Sequence, residues 1–143
     1  MSSVPLHYVD LRAFCYVTED DPRVEDALRT LLPEDFEIGR AESEGYHGDR
    51  ILVLSARVEN ADDVRTVLDR LGALADDELA RVRDELDERV DENTSFFLTL
   101  DKQAAFSGEV KLGDGITLRA KIEAYPAKRE TAIENAADLL EDL

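Results

Sequence analysis

The side chains best suited to bind an anion are concentrated in one segment of the chain, residues 102–129, which we term the lysine stretch. It contains six cationic residues, namely Lys102, Lys111, Arg119, Lys121, Lys128 and Arg129. These include all four lysines of a chain with 34 acidic residues and a formal net charge of −17. Ammonium and guanidinium groups bind phosphate oxygens through charge-assisted hydrogen bonds. We therefore expect the lysine stretch to hold the functional site.

Within the lysine stretch, the alternation of residues 116–125 predicts a strand. Its polar face would carry Arg119 and Lys121, with Tyr125 at the end. Cations interleaved with an aromatic ring suit RNA, because the cations meet phosphates and the ring stacks on a base. The alternative interpretation is the solvated face of an amphipathic strand.

The segment 113–115, Gly-Asp-Gly, predicts a turn that pairs residues 110–112 with this strand as a hairpin. In that register Lys111 lies opposite Thr117 and joins the cationic face. Glu109 would lie opposite Arg119, so a cross-strand ion pair is an alternative use of this arginine.

A second cationic pair follows Pro126, which predicts the start of a helix. Lys128 and Arg129 would then lie in the first helical turn, where the helix dipole disfavours cations. The other predicted helices begin with acids. A cationic pair beside free backbone N–H groups predicts a phosphate site. The alternative is local pairing with Glu130.

Two loops supply further candidate contacts to RNA. Lys102 and Gln103 follow a predicted buried strand and could reach a phosphate or a base edge. Residues 44–49 form a loop in which glycines flank His47, and Arg50 follows. Glycines allow a ligand to approach the backbone closely. His47 and Arg50 are therefore candidate contacts, although a loop histidine can also serve local structure.

Catalytic signatures are weak. The chain has no P-loop, no Gly-x-Gly-x-x-Gly segment, and no paired-Cys or paired-His spacing for a metal. We therefore predict a non-enzymatic protein with no cofactor and no metal site. A hydrolase that uses acids around His47 remains a rival interpretation.

The hydrophobic periodicity predicts one α+β domain over residues 1–143, with helices packed on a largely antiparallel or mixed sheet. Predicted strands cover residues 6–18, 35–43, 51–58, 94–100, 110–112 and 116–125. Predicted helices begin near Asp21, Asn60, Asp76 and Pro126, and the third extends to Val90.

Acidic residues are dispersed over the whole chain, which is typical of proteins adapted to molar salt. The alternative is an acidic surface that binds a basic partner. Cys15 is the single cysteine and cannot form an internal disulfide. With no leader and no membrane span expected, we predict a cytoplasmic protein.

Three motifs resemble a known family. They are Glu44-Gly45-x-His47-Gly48, the segment FLTLDKQAA at 97–105, and AYPAKRE at 124–130. Together they resemble the archaeal RNA-binding domain family described as a predicted exosome subunit. The resemblance implies a fold like that of ribosomal protein L5 and a non-catalytic RNA-binding role in RNA processing. Tyr46 stands where the family often has a second histidine, which argues against a metal site there.

We therefore predict an RNA-binding accessory factor in archaeal RNA processing or degradation. Its partners would be RNA and exosome or other RNA-processing proteins, not a membrane; a homodimer remains open. The alternative is a module that docks on a ribonucleoprotein without touching RNA. Clustering of the lysine stretch in the fold would favour RNA, and scattering would favour docking.

Overall fold

The computed structural model describes residues 6–16, 18–44 and 48–143. Five strands form one sheet: β1 (Leu6–Tyr16), β2 (Gly39–Glu44), β3 (Arg50–Val58), β4 (Ser95–Asp101) and β5 (Gly115–Ile122). The helices are α1 (Asp21–Arg29), α2 (Ala61–Leu71), α3 (Asp76–Asp84), α4 (Leu86–Arg89), α5 (Lys102–Phe106) and α6 (Arg129–Glu141). None of the helices in these ranges is long and apolar enough to cross a bilayer.

The sheet has the strand order β2-β3-β1-β5-β4, and every neighbouring pair is antiparallel. The central strand β1 alternates strictly along its second half, so that Leu11 and Ala13 are buried while Arg12 and Phe14 are exposed. The buried side carries the core, against which α1, α2 and α6 pack. The predicted α+β class, with helices on an antiparallel sheet, is confirmed. The likeness to ribosomal protein L5 stays a prediction.

The predicted hairpin of residues 110–112 with the following strand is wrong. Both edges of β5 are already paired, with β1 on one side and β4 on the other. Leu112 instead forms an isolated bridge with Leu100, and the Asp101 N–H donates to the Lys111 carbonyl at 2.8 Å. Residues 111–113 therefore lie alongside the end of β4, on the edge opposite β5. Thr117 faces Thr99 instead of Lys111.

The two turn glycines permit this close packing. A Cβ added to Gly113 would lie 2.7 Å from the Cβ of Asp101. Gly115 has a φ of +114° and an added Cβ there would lie 2.5 Å from the Cβ of Lys102. Side chains at either position would collide with the start of α5, because these separations are far below van der Waals contact.

Several predicted boundaries shift. The third predicted helix is interrupted at Glu85, whose backbone leaves the helical region. Asp101 caps a short helix, α5, that was not predicted, by accepting from the N–H groups of Gln103 and Ala104. The last strand ends at Ile122, and α6 begins at Arg129 instead of Pro126.

Candidate nucleic-acid interface

The sheet face opposite the core, which we term the open face, carries exposed side chains from several strands. Its side chains are exposed or half-buried, whereas the residues between them are buried. On the three central strands and β4 they are Tyr8, Asp10, Arg12, Phe14, Tyr16, Ile51, Val53, Ser55, Arg57, Thr117, Arg119, Lys121, Phe97, Thr99 and Asp101.

Strand register sets the arrangement at the centre of the open face. Asp10 lies opposite Arg57 on β3 and opposite Arg119 on β5. Arg57 binds Asp10 through two hydrogen bonds of 2.8 and 2.9 Å, and its guanidinium carbon stands 4.2 Å from the centre of the Tyr8 ring. The carboxylate of Asp10 is therefore already satisfied by Arg57.

Two guanidinium groups next to this pair remain available. Arg119 makes one long contact, 3.5 Å from Nη2 to the Tyr8 hydroxyl. Arg12, one row along β1, has no ion pair or hydrogen bond with any part of the chain that the structure describes. Together with Phe14, Arg57 and Phe97 these arginines line a shallow concavity of about 480 Å³. A polyanion can thus reach two guanidinium groups without displacing an existing ion pair.

The open face is also aromatic. Among the described residues, four large hydrophobic side chains are exposed, and three of them lie on it: Phe14 (38%), Tyr16 (48%) and Phe97 (38%). Exposed apolar side chains grouped on one surface mark a binding site more often than isolated ones do. The fourth, Tyr125 (79%), follows the last strand.

The charge of the open face differs in sign from that of the chain. Alternation assigns it four cations, Arg12, Arg57, Arg119 and Lys121, against two acids, Asp10 and Asp101. Its strands therefore contribute a net charge of +2, in a chain whose net charge is −17. Lys121 donates to the Asn93 carbonyl at one end of the face, while the Asp101 carboxylate caps α5 at the other.

Lys102 is not on the surface, so its predicted phosphate contact is corrected. Its side chain is only 8% exposed, and Nζ lies 2.8 Å from Glu19 and 2.9 Å from the Phe14 carbonyl. Burying an ammonium is costly unless it is paired and hydrogen-bonded, and this one is both. Lys102 therefore serves the fold by linking the start of α5 to the end of β1.

Lys102 also positions the aromatic end of β1. Glu19 accepts from the Tyr16 N–H at 3.1 Å, and Lys102 Nζ stands 5.4 Å from the centre of the Tyr16 ring. Burial alone would raise the pKa of Glu19, but hydrogen bonds from Lys102 and from the Tyr16 N–H, with the ammonium charge, lower that pKa below its usual value. The carboxylate thus stays ionised, which holds Phe14 and Tyr16 in place.

The predicted contacts in the loops are spread over separate surfaces. Lys111 is exposed and lies 3.5 Å from Glu109, its neighbour in the same loop. Gln103 is exposed on α5. Arg50 binds Asp21 at 2.6 Å, on the helix side of the sheet. His47 lies outside the described residues.

The start of α6 differs from its prediction. Lys128 occupies the N-cap position, not the first turn, and its exposed side chain has no partner in the described parts of the chain. Arg129 donates to the carbonyl oxygens of Val90, at 3.0 Å, and Asp87. Arg129 therefore ties α6 to the segment before β4, and Lys128 alone is free at this helix start.

Cys15 lies beneath the open face, beside the Arg50–Asp21 pair. Its thiol donates to Asp21 at 3.1 Å. Burial, followed by this hydrogen bond and the nearby carboxylates, raises the pKa of Cys15 from 9.0 to about 11. The thiol is therefore protonated at neutral pH and unsuited to act as a nucleophile. Among the described residues, no cluster of His, Cys, Asp or Glu could hold a metal ion.

Five candidate residues were missed by the sequence prediction, namely Arg12, Phe14, Tyr16, Arg57 and Phe97. A signal for three of them was present, because aromatic and charged residues alternate with small and apolar ones over residues 8–16. The same kind of alternation over residues 116–125 predicts the strand that carries Arg119 and Lys121. Arg57 and Phe97 carry no comparable local signal.

Comparisons with known proteins identify the family and several relatives of this chain. A family model described as RNA binding matches residues 8–122. The chain belongs to this RNA-binding family. The RNA-binding protein PAB1135 of Pyrococcus abyssi is 36% identical over 144 residues, covering 94% of each chain. The predicted membership of an RNA-binding family is thereby confirmed.

Solved structures of relatives share the fold. The crystal structure of protein AF2318 from Archaeglobus fulgidus is 30% identical, with a TM-score of 0.85 over 94% of this chain and 99% of that one. Mth689 from Methanothermobacter thermautotrophicus is 38% identical, with a TM-score of 0.81 over 94% and 98%. Both are described as DUF54 proteins, and both span nearly the whole chain.

Proposed function

We propose that this chain is a non-catalytic RNA-binding protein and that the open face is its RNA contact surface. The observation that carries the proposal is a cationic and aromatic sheet face on a strongly acidic chain. Cations that attract phosphate and rings that stack on bases are two recurring elements of RNA recognition. Family membership supports the same partner.

At a finer level, the protein acts as an accessory factor in archaeal RNA processing or degradation, in the cytoplasm and in association with the exosome. Support for the exosome comes from the motif resemblance. Residues 1–143 act as one domain in this proposal, supported by the single core and single sheet that the described residues form. Lys128, Tyr125 and Gln103 are additional contacts in this proposal, since all three are exposed.

Photocrosslinking to RNA, followed by measurement of the RNA length, tests this proposal. Purified protein, incubated with total cellular RNA in molar KCl and irradiated, is expected to form protein–RNA adducts while the RNA keeps its length. A sample treated with ribonuclease before irradiation is the control. Absence of adducts would refute RNA binding, and shortening of the RNA would refute the non-catalytic role.

A second candidate function is docking on a ribonucleoprotein without RNA contact. It is favoured by one observation, the scattering of the lysine stretch over a buried site, a loop, the open face and a helix start. Capture of partner proteins, including a second copy of this chain, before and after ribonuclease treatment separates the candidates. RNA-mediated association is lost on treatment, whereas direct docking or dimerisation persists.

We also propose that the dispersed acids adapt the protein to high salt. Exposed acids occur on strands, helices and loops alike, so their mutual repulsion opposes folding until salt screens it. Thermal unfolding followed by circular dichroism is expected to show a higher Tm in molar KCl than in dilute buffer. Equal Tm values in the two solutions would contradict this proposal.

A further inference from the structure

The shape of the open face restricts the class of RNA that it can bind. We infer that it takes single-stranded RNA, whose unpaired bases stack on Phe14, Tyr16 and Phe97 while phosphates meet Arg12 and Arg119. This inference rests on the proposed function and goes further, because it selects unpaired RNA over duplex RNA.

The first argument is the position of the rings. Phe14 and Tyr16 are two residues apart on β1, so their side chains leave the same face about 7 Å from each other. Phe97 lies on β4, separated from β1 by β5. Phe14 and Phe97 flank the concavity that Arg12 and Arg119 line. Rings thus stand on either side of the available cations.

The second argument is the accessibility of these rings. Each has more than a third of its surface exposed. The backbone beneath it is held by strand pairing, of Phe14 and Tyr16 with β3 and of Phe97 with β5. A rigid, exposed ring can stack on a base only if that base is not already stacked inside a duplex. Sheet faces with two or three such rings bind unpaired bases in other RNA-binding folds.

The third argument is charge. Duplex RNA presents a denser phosphate array than a single strand. Proteins that bind it recognise its shape, its 2′-hydroxyls and its phosphates instead of unstacked bases. The open face has a strand charge of only +2 and belongs to a chain of −17, so long-range attraction for a duplex is weak. Stacking is insensitive to this net charge, which favours a ligand with unpaired bases.

The experiment compares a fluorescently labelled oligouridine with an RNA duplex of the same length, by anisotropy at one KCl concentration. Wild type is expected to prefer the single strand. Phe14→Ala and Phe97→Ala are expected to weaken single-strand binding by roughly 5- to 150-fold each, the range measured for loss of one base stack. Phe14→Tyr and Phe97→Tyr keep the ring and are expected to retain most of the affinity.

The outcomes distinguish failure of the single-strand inference from failure of the proposed RNA binding. Equal binding of duplex and single strand, with affinity unaffected by Phe14→Ala and Phe97→Ala, would overturn the single-strand inference and leave RNA binding standing. Failure to bind either RNA would overturn both. A larger loss from Tyr125→Ala than from either phenylalanine would move stacking off the open face and overturn the inference as well. Tyr16→Ala repeats the test at the most exposed ring of the face.

Discussion

Replacing Lys102 by methionine is expected to lower the free energy of unfolding by about 3 kcal/mol. The methionine fills the space of the lysine stem but cannot donate to Glu19 or to the Phe14 carbonyl. Removing one partner of a buried ion pair leaves the other charge uncompensated, at a cost of roughly 3–5 kcal/mol. Glu19 retains 20% exposure, which places the expected cost at the lower end.

Lys111→Met is the matched control for this prediction. Lys111 has the same side chain in the same stretch, but it is 59% exposed and its partner Glu109 is equally exposed. Exposed pairs contribute about 0–1 kcal/mol, so little change is expected. Urea unfolding of both variants in molar KCl measures the difference. Equal stabilities for the two variants would show that the Lys102–Glu19 pair does not support the sheet.

The pH dependence gives a second readout of the same pair. The pKa of Glu19 is lowered in the folded protein, so its stabilisation is present above the unfolded value of 4.5 and is lost as pH falls through the folded pKa. The stability difference between wild type and Lys102→Met is therefore expected to shrink below about pH 4.5. A difference that stays constant through that range would assign the effect to packing instead of charge.

Much of the fold could be predicted from local patterns. Apolar alternation identified the central strand, and a side-chain cap marked the second helix, where Asn60 accepts from the Asp62 N–H at 2.8 Å. The hairpin at 113–115 was predicted wrongly for a physical reason. Its glycines allow close contact with residues 101 and 102. In sequence, a glycine required by a tight turn looks the same as a glycine required by a close approach.

The candidate site was less accessible to sequence reasoning because it is non-local. Lys102 is 83 residues from Glu19, so nothing near it in sequence distinguishes a buried lysine from a phosphate contact. Arg12 and Arg119 are brought together only by the pairing of β1 with β5. The lysines cluster in one stretch of the sequence, whereas three of the four cations of the open face are arginines. These three arginines lie on three different strands.

Neutralising the two available arginines of the open face is expected to cause a large loss of RNA affinity. Arg12→Gln/Arg119→Gln should weaken binding by about 100-fold, because each charge-assisted hydrogen bond to phosphate contributes about 1.5 kcal/mol or more. Both side chains are exposed, and among the described residues Arg12 has no ion pair or hydrogen bond and Arg119 has one long hydrogen bond, so the fold should persist. Circular dichroism checks that it does.

The matched control is Arg70→Gln/Arg83→Gln, which makes the same change in net charge on α2 and α3. Both arginines are exposed in the helix layer, away from the open face. A general effect of net charge would weaken RNA binding equally in the two double variants. Contact at the open face predicts loss in one and near-wild-type affinity in the other.

The most direct measurement is the salt dependence of single-stranded RNA affinity for wild type and these two double variants, across a series of KCl concentrations. For single strands, each phosphate contact contributes about 0.7 to the negative slope of log affinity against log salt. The Arg12→Gln/Arg119→Gln variant is expected to lose about 1.4 from this slope, while the Arg70→Gln/Arg83→Gln variant keeps the wild-type value. Unchanged slopes and affinities in the first variant would contradict RNA binding at the open face.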